Sequence, residues 1–327
     1  MARVLVTDYA WPSLDIERGI LGELGAELVV AETGDPEEVV DLADGVDAIL
    51  TNWKRVPAEA LDSAPGCLVV SRYGVGVDNI PVDHATELGI LVVNVPDFCL
   101  QEVSDHAMAL VLACARRVAR YARETGAGTW RLDGPGLPRL SEQTLGLVGF
   151  GNIARALVPK ARGFGMRVLA WTPQLAASGV DGVEVAGSLE QLLAESDYVS
   201  LHAPATPETA GLIGEPQLRA MKPTAYLVNT SRGALVDEDA LVRALREGWI
   251  AGAALDVLRQ EPAPPDHPLL GFDNAIVTPH AAFYSDSAIV ELQTKAATNV
   301  ASVLRGTLPA TVVNPAVRER AVYRAGL

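Results

Sequence analysis

The apolar run Leu145-Gly146-Leu147-Val148 passes directly into Gly149-Phe150-Gly151-Asn152-Ile153-Ala154, and Arg155 to Arg162 continues with helical character. A strand, a glycine turn and a helix start, in that order, are what a dinucleotide site requires. Gly149 permits the tight turn, Gly151 lets backbone approach a pyrophosphate, and small Ala154 lets helix pack close on strand. The helix N-terminus then presents unpaired N–H groups to the phosphates. A lone Gly-x-Gly-x-x-Gly/Ala string also arises as an ordinary turn ahead of a helix, so its surroundings decide its meaning.

Those surroundings are extensive, because the turn stands mid-chain in 327 residues, a length that suits two domains with real cores. Short apolar runs precede it at Val4 to Val6, Glu27 to Val30, Ala48 to Leu50, Leu68 to Val70 and Leu91 to Val93, separated by amphipathic stretches. A second series runs from Leu145 to Val148 through Val168 to Trp171, Tyr198 to Leu201, Ala225 to Val228, Gly252 to Leu255 and Ala275 to Thr278. Such alternation predicts βα units and two doubly wound parallel sheets, the second long enough for a complete nucleotide-binding fold. Gln101 to Arg123 reads as one long helix between the series, and the chain after Asp286 as another that returns to the first domain. The expected division is a substrate domain of 1–98 plus 293–327 and a cofactor domain of 99–292.

Charge and cysteine usage exclude several classes. The net charge is −15, and residues 1–100 hold 18 acidic against 5 basic side chains, which disfavours contact with a phosphate backbone. Nucleic acid is not an expected direct partner. Cys67, Cys99 and Cys114 are odd in number and far apart, so neither a disulfide framework nor a zinc site is indicated. No metal is expected. No run of 18 uninterrupted apolar residues appears, and the first residues lead straight into a strand pattern. No membrane partner is expected, and the expected compartment is the cytoplasm.

Three segments of the second series carry chemistry. Asn229-Thr230-Ser231-Arg232-Gly233 follows one strand, Asp256 to Glu261 follows the next, and Thr278-Pro279-His280 follows the last. Open parallel sheets bind ligands at this edge. Hydride transfer to a 2-oxo acid needs a proton donor at the carbonyl oxygen and a cation for the carboxylate. His280 suits the donor, since imidazole titrates near working pH. Glu261 within hydrogen-bond reach would orient the ring and favour imidazolium. Arg232 suits the substrate, because a guanidinium fork grips a carboxylate bidentately. Each residue alone also fits a structural histidine, a surface acid or a turn cap; the three after successive strands make a joint site.

Gly149 to Ala154, Ser196 to Thr209, Asn229 to Asp237, Ala254 to Pro262 and Thr278 to Phe283 resemble, in order and spacing, the D-isomer-specific 2-hydroxyacid dehydrogenase family. Arg72 to Asp97 resembles its substrate-domain signature, so the likeness spans essentially the whole chain. It implies a Rossmann-type cofactor domain inserted into a flavodoxin-like substrate domain, and a reversible reduction of a small 2-oxo acid to the D-2-hydroxy acid. It implies His280 as acid/base, Glu261 as its partner and Arg232 as the substrate cation. The backbone of Gly74, Val75 and Gly76 would receive the substrate carboxylate, with Trp53 walling the pocket. Cofactor contacts implied are Gly149, Gly151, Asn152 and Ile153 on the pyrophosphate, and His202, Ala203, Pro204 and Thr209 around the adenosine side. Thr230, Arg232, Asp256 and His280 lie toward the nicotinamide. The family also forms dimers across the helix beginning near Gln101, so a homodimer is expected.

Two departures matter. The second cofactor-domain strand ends in Thr172, where an acid would hold the adenosine ribose hydroxyls. The Thr172 hydroxyl can still hydrogen-bond a ribose as a cofactor contact but lacks the repulsion that excludes a 2′-phosphate; yet Pro173 to Glu184 contains no Arg or Lys and offers Asp181 and Glu184, which favours NAD and leaves NADP open. Where phosphoglycerate dehydrogenases carry a phosphate-contacting arginine after the third strand, this chain has Thr51, followed by Trp53, Lys54 and Arg55. Two alternatives stay beside the dehydrogenase reading. One is an NADH-binding interaction protein like the C-terminal-binding-protein corepressors, which Glu102 to Arg117 and His280 to Ala288 resemble. The other is a phosphite or phosphonate-related dehydrogenase, although Arg72-Tyr73 stands where that pattern places a lysine.

Overall fold

The computed structural model describes residues 1–132, 136–173, 182–319 and 323–326. The chain divides into two compact units, Met1–Cys99 with Ser285–Leu327, and Leu100–Tyr284. The first opens with β1 (Arg3–Val6), α1 (Asp15–Gly22), β2 (Glu27–Val30), α2 (Pro36–Leu42), β3 (Ala48–Thr51), α3 (Ala58–Asp62), β4 (Val69–Arg72), α4 (Val82–Glu87) and β5 (Leu91–Val93). The second holds α5 (Leu100–Ala115), α6 (Val118–Gly126), β6 (Thr144–Val148), α7 (Asn152–Gly163), β7 (Arg167–Trp171), β8 (Glu184–Val185) and α8 (Leu189–Glu195). It continues with β9 (Tyr198–Leu201), α9 (Glu215–Ala220), β10 (Tyr226–Asn229), α10 (Glu238–Glu247), β11 (Gly252–Leu255) and β12 (Ala275–Val277). Helix α11 (Asp286–Leu304) then returns to the first unit.

Both sheets are parallel. The first has order β2-β1-β3-β4-β5, the flavodoxin-like arrangement. The second has order β12-β11-β10-β9-β6-β7-β8, a dinucleotide-binding arrangement extended by one strand. Strands β3, β4, β6, β9 and β11 are buried at every position, because helices cover both faces. That burial is why they read as continuous apolar runs rather than alternating ones.

Three details depart from the sequence reading. The helix expected over Gln101 to Arg123 breaks at Arg117, whose φ of 51° is left-handed, so α5 and α6 are separate. Helix α5 buries Val103, Ala107, Val111 and Cys114, whereas α6 buries nothing and is held by Arg120–Glu124 at 2.7 Å and Arg123–Asp273 at 2.9 Å. The two-residue β8 lay below any periodic signal. The division expected between 292 and 293 falls inside α11, whose Leu292, Gln293, Ala296 and Val300 share one buried face, so the helix goes whole with the first unit.

Among the described residues no helix is long and apolar enough to cross a membrane, and no group of three His, Cys, Asp or Glu is placed to hold a metal. All three cysteines are buried free thiols.

Candidate active site

The glycine turn sits at the carboxyl end of β6. Gly149 has φ 92°, and a Cβ there would lie 2.6 Å from the backbone carbonyl of His202, so neither the conformation nor the space admits a side chain. Gly151 caps the twelve-residue α7 and has nothing within 4 Å of its Cβ position, which leaves room for a phosphate against the helix N-terminus. Asn152 and Ile153 open that helix, and Ala154 is fully buried in the core beneath it.

His202 follows β9. Its Nε2 lies 2.9 Å from Ser200 Oγ, while its Nδ1 is buried without a partner among the described residues. Burial pushes its pKa down to about 4, so the ring is neutral at pH 7. Past Ala203 the loop is closed by Thr209, whose hydroxyl donates to the Pro204 carbonyl at 2.6 Å and accepts the Thr206 N–H at 2.8 Å. Thr230, after β10, has a buried hydroxyl that is likewise unpartnered. Two orphaned buried polar atoms at the sheet edge that also carries an open helix N-terminus fit a polar ligand such as a dinucleotide. Thr172 is half-buried at the end of β7, and Asp181 lies outside the described residues. Glu184 pairs with Arg167 at 2.6 Å from within β8, so it is not an acid offered to a ribose.

The catalytic candidates converge at the same edge. His280 Nδ1 lies 2.6 Å from Glu261 Oε2, and Glu261 Oε1 accepts the Leu258 N–H at 2.8 Å. Burial pushes the Glu261 carboxyl up, but the bonds from His280 and Leu258 and the charges of His280 and Arg232 outweigh it and hold it below its ordinary value. An ionised Glu261 therefore accepts the proton at His280 Nδ1. Arg232 follows β10 with its carbonyl held by Asn229 Nδ2 at 2.8 Å and Nη1 on the Ser231 carbonyl at 2.8 Å. Gly233, legible in sequence only as a turn residue, has a sharper reason. A Cβ there would overlap the Leu258–Arg259 peptide, so glycine lets the Arg232 loop press against the Glu261 loop.

Asp256 does something the sequence did not announce. Buried at the end of β11, its carboxylate accepts the Thr278 hydroxyl at 2.5 Å and the N–H groups of Ala281 and Ala282 at 2.9 and 2.8 Å. Its backbone carbonyl accepts the His280 N–H at 2.8 Å. These bonds clamp the turn that holds His280 in a left-handed conformation, φ 52°. His106 of α5 joins the clamp, with Nε2 at 3.1 Å from Thr278 Oγ1 and 3.5 Å from Asp256 Oδ1.

The remaining candidates belong to the first unit. Gly74, at the carboxyl end of β4, has φ 145°, and its missing Cβ leaves room for the Arg72 guanidinium. Its N–H is not presented outward as expected, since it donates to the Arg72 carbonyl at 3.0 Å; the N–H groups of Val75 and Gly76 have no partner among the described residues. The Val75 carbonyl accepts Asn94 Nδ2 at 2.7 Å, which steadies the turn. Trp53 stands exposed after β3.

A family model described as the D-isomer specific 2-hydroxyacid dehydrogenase NAD-binding domain matches residues 108–282. The chain belongs to that family. It is an NAD(P)-dependent D-2-hydroxyacid dehydrogenase. The dehydrogenase is 44% identical over 288 residues to a glyoxylate reductase of Korarchaeum cryptofilum, an alignment covering 86% of this chain and 85% of the relative. Its fold is similar to the crystal structure of the TT0316 protein from Thermus thermophilus, with a TM-score of 0.84 and 39% identity over 95% and 99% of the two chains. It is also similar to an NADPH-dependent glyoxylate/hydroxypyruvate reductase of Sinorhizobium meliloti in complex with NADP and malonate, with a TM-score of 0.82 and 29% identity over 99% and 98%.

Proposed function

We propose that this dehydrogenase reversibly reduces a small 2-oxo acid to the D-2-hydroxy acid, with NAD(H) as its main cofactor. The 2.6 Å contact between His280 Nδ1 and the ionised Glu261 carries the reading. A nicotinamide held at this edge would supply or accept the hydride. His280 donates the accompanying proton from Nε2 to the carbonyl oxygen, and takes it back from the hydroxyl in the reverse direction. Glu261 keeps the ring in the orientation and tautomer that the step needs, and Arg232 holds the substrate carboxylate. His202 and Thr230 offer their unpartnered atoms to the cofactor, and Val75 and Gly76 offer backbone N–H groups to the substrate.

NAD over NADP rests on the absence of a cation in Pro173 to Glu184. A homodimer accounts for α6, which buries no residue, and for Trp130 and Leu132, which are 89% and 92% exposed just beyond it. The three free thiols suit the reducing cytoplasm. The test is a panel of 2-oxo acids assayed with NADH and with NADPH, with chiral analysis of the product. D-2-hydroxy acid formed faster with NADH is expected; an L-product or no consumption of either cofactor refutes the reading.

A further inference from the structure

Glu261 is carried by a segment whose own backbone can hold little. Between Leu258 and His267 stand Pro262, Pro264 and Pro265, none of which has an N–H to donate. Among the described residues, no backbone–backbone hydrogen bond joins residues 257–263 to another part of the second unit. Two N–H groups of the segment end on carboxylates instead. Leu258 donates to Glu261 Oε1 at 2.8 Å, within the segment itself, while Arg259 donates to Glu238 Oε1 at 2.5 Å. Glu238 is thus an anchor supplied from outside.

Glu238 is the first residue of α10, where the helix N-terminus favours a carboxylate. Its second oxygen, Oε2, lies 3.3 Å from His267 Nε2, and the two side chains are only 14% and 11% exposed. His267 Nδ1 accepts the Leu269 N–H at 3.3 Å, which leaves the ring proton on Nε2, facing Glu238. The His267 backbone is fixed as well, its N–H on the Pro264 carbonyl at 2.9 Å and its carbonyl on the Leu270 N–H at 3.0 Å. One carboxylate therefore grips the segment on both sides of Glu261, at Arg259 and at His267. The prolines between the grips restrict φ and stiffen the segment, so a shift at either end reaches Glu261. Gly233 lies against the Leu258–Arg259 peptide, so the turn carrying Arg232 meets the segment at the first of these grips.

We infer that Glu238 is a positioning residue for the reaction: by holding Arg259 and His267 it sets where the Glu261 carboxylate meets His280 Nδ1. The inference rests on the dehydrogenase reading and deepens it. The Glu261–His280 contact is 2.6 Å long, and a bond that short weakens steeply as its partners move apart or out of line. The effect of Glu238 passes through Glu261, and without that carboxylate it has nothing to position.

The experiment measures kcat, KM and NADH affinity, with the 2-oxo acid of highest kcat/KM in the panel above, for the wild-type enzyme, Glu238→Ala, Glu261→Gln and the double variant. Glu238→Ala is expected to lower kcat about fivefold, with KM and the Kd for NADH changed less than about twofold. Beside Glu261→Gln, the same substitution is expected to lower kcat by less than about twofold, because residues that act through one contact are not additive. Should Glu238→Ala fail to melt cooperatively, His267→Ala takes its place. That variant removes one of the two grips, and a loss of about threefold in kcat is expected, again only where Glu261 is present. An unchanged kcat in the folded variant, a loss carried by KM alone, or a loss repeated in full beside Glu261→Gln overturns the inference while the dehydrogenase reading stands. An unchanged kcat in Glu261→Gln alone overturns it too, since no contact would be left to position. Failure to turn over any 2-oxo acid with either cofactor overturns both.

Discussion

At the carboxyl edge of the second sheet, His202 Nδ1 and Thr230 Oγ1 are buried with no partner among the described residues, and Gly151 faces open space. At the corresponding edge of the first sheet, Asp8 alone takes three backbone N–H groups, and Gly74 returns its own to Arg72. A buried polar atom without a partner costs about 1–3 kcal/mol, so the second edge carries a cost that a polar ligand offsets. The first edge holds one such atom as well, Trp11 Nε1, buried without a partner among the described residues, beside its exposed aromatic surface. The same sheet architecture thus presents unpartnered polar atoms and an open helix N-terminus in one unit, and a filled anion nest beside exposed aromatic rings in the other.

The largest test removes the chemistry from the second edge. His280→Ala is expected to lower kcat by about 10²–10⁴-fold while NADH still binds in a fluorescence titration; undiminished turnover would make that edge a cofactor platform and nothing more. His202 tests the unpartnered nitrogen. Its folded pKa of about 4 lies below the unfolded value, so the unfolded chain binds more protons between them. The resulting stability is complete above about pH 6.5 and is lost as pH falls toward 4, a change of ~3 kcal/mol. His202→Asn should flatten urea stability across that window; an unchanged slope would clear this ring.

On the first edge, Asp8→Ala should cost about 2 kcal/mol of stability in urea with no change in NADH affinity. If stability holds, water satisfies those N–H groups and the contrast between the edges weakens. Returning to the second edge, Glu261→Gln puts a neutral amide where the carboxylate holds His280 Nδ1, and kcat should fall about tenfold with NADH affinity kept; an unchanged kcat would leave Glu261 with a packing role. The smallest effect belongs to the clamp. His106→Phe should lower kcat about fivefold by loosening the Thr278–Asp256 contact, with His106→Gln recovering most of it; equal losses in both would point to packing of α5.

What could be read in advance follows from how far apart the partners lie. Arg232, Glu261 and His280 each trail an apolar strand of one parallel series, so their shared edge follows from topology. Asp256 and the turn it clamps lie some 22 to 26 residues apart, His106 and Thr278 lie 172 apart, and no spacing rule links such positions. Asp8 reaches the loop after β3 across 44 residues for the same reason. The break at Arg117 was hidden because a helical pattern continues through it, and only the loss of a core beneath α6 ends α5. Gly74 looked like an outward donor because a glycine string does not reveal which N–H groups turn back on the chain.

The return of α11 to the first unit has a consequence for how the protein is made. Ser71 on β4 donates to the Ala296 carbonyl at 3.1 Å, and Gln293 reaches Glu17 at 3.0 Å across 276 residues. A ribosome releases β1 to β5 long before the helix that covers them, while the intervening unit, continuous in sequence, emerges ready to collapse on its own. The first domain to be synthesised is therefore the last to close, and until α11 arrives its nascent sheet has an apolar face for a chaperone to hold.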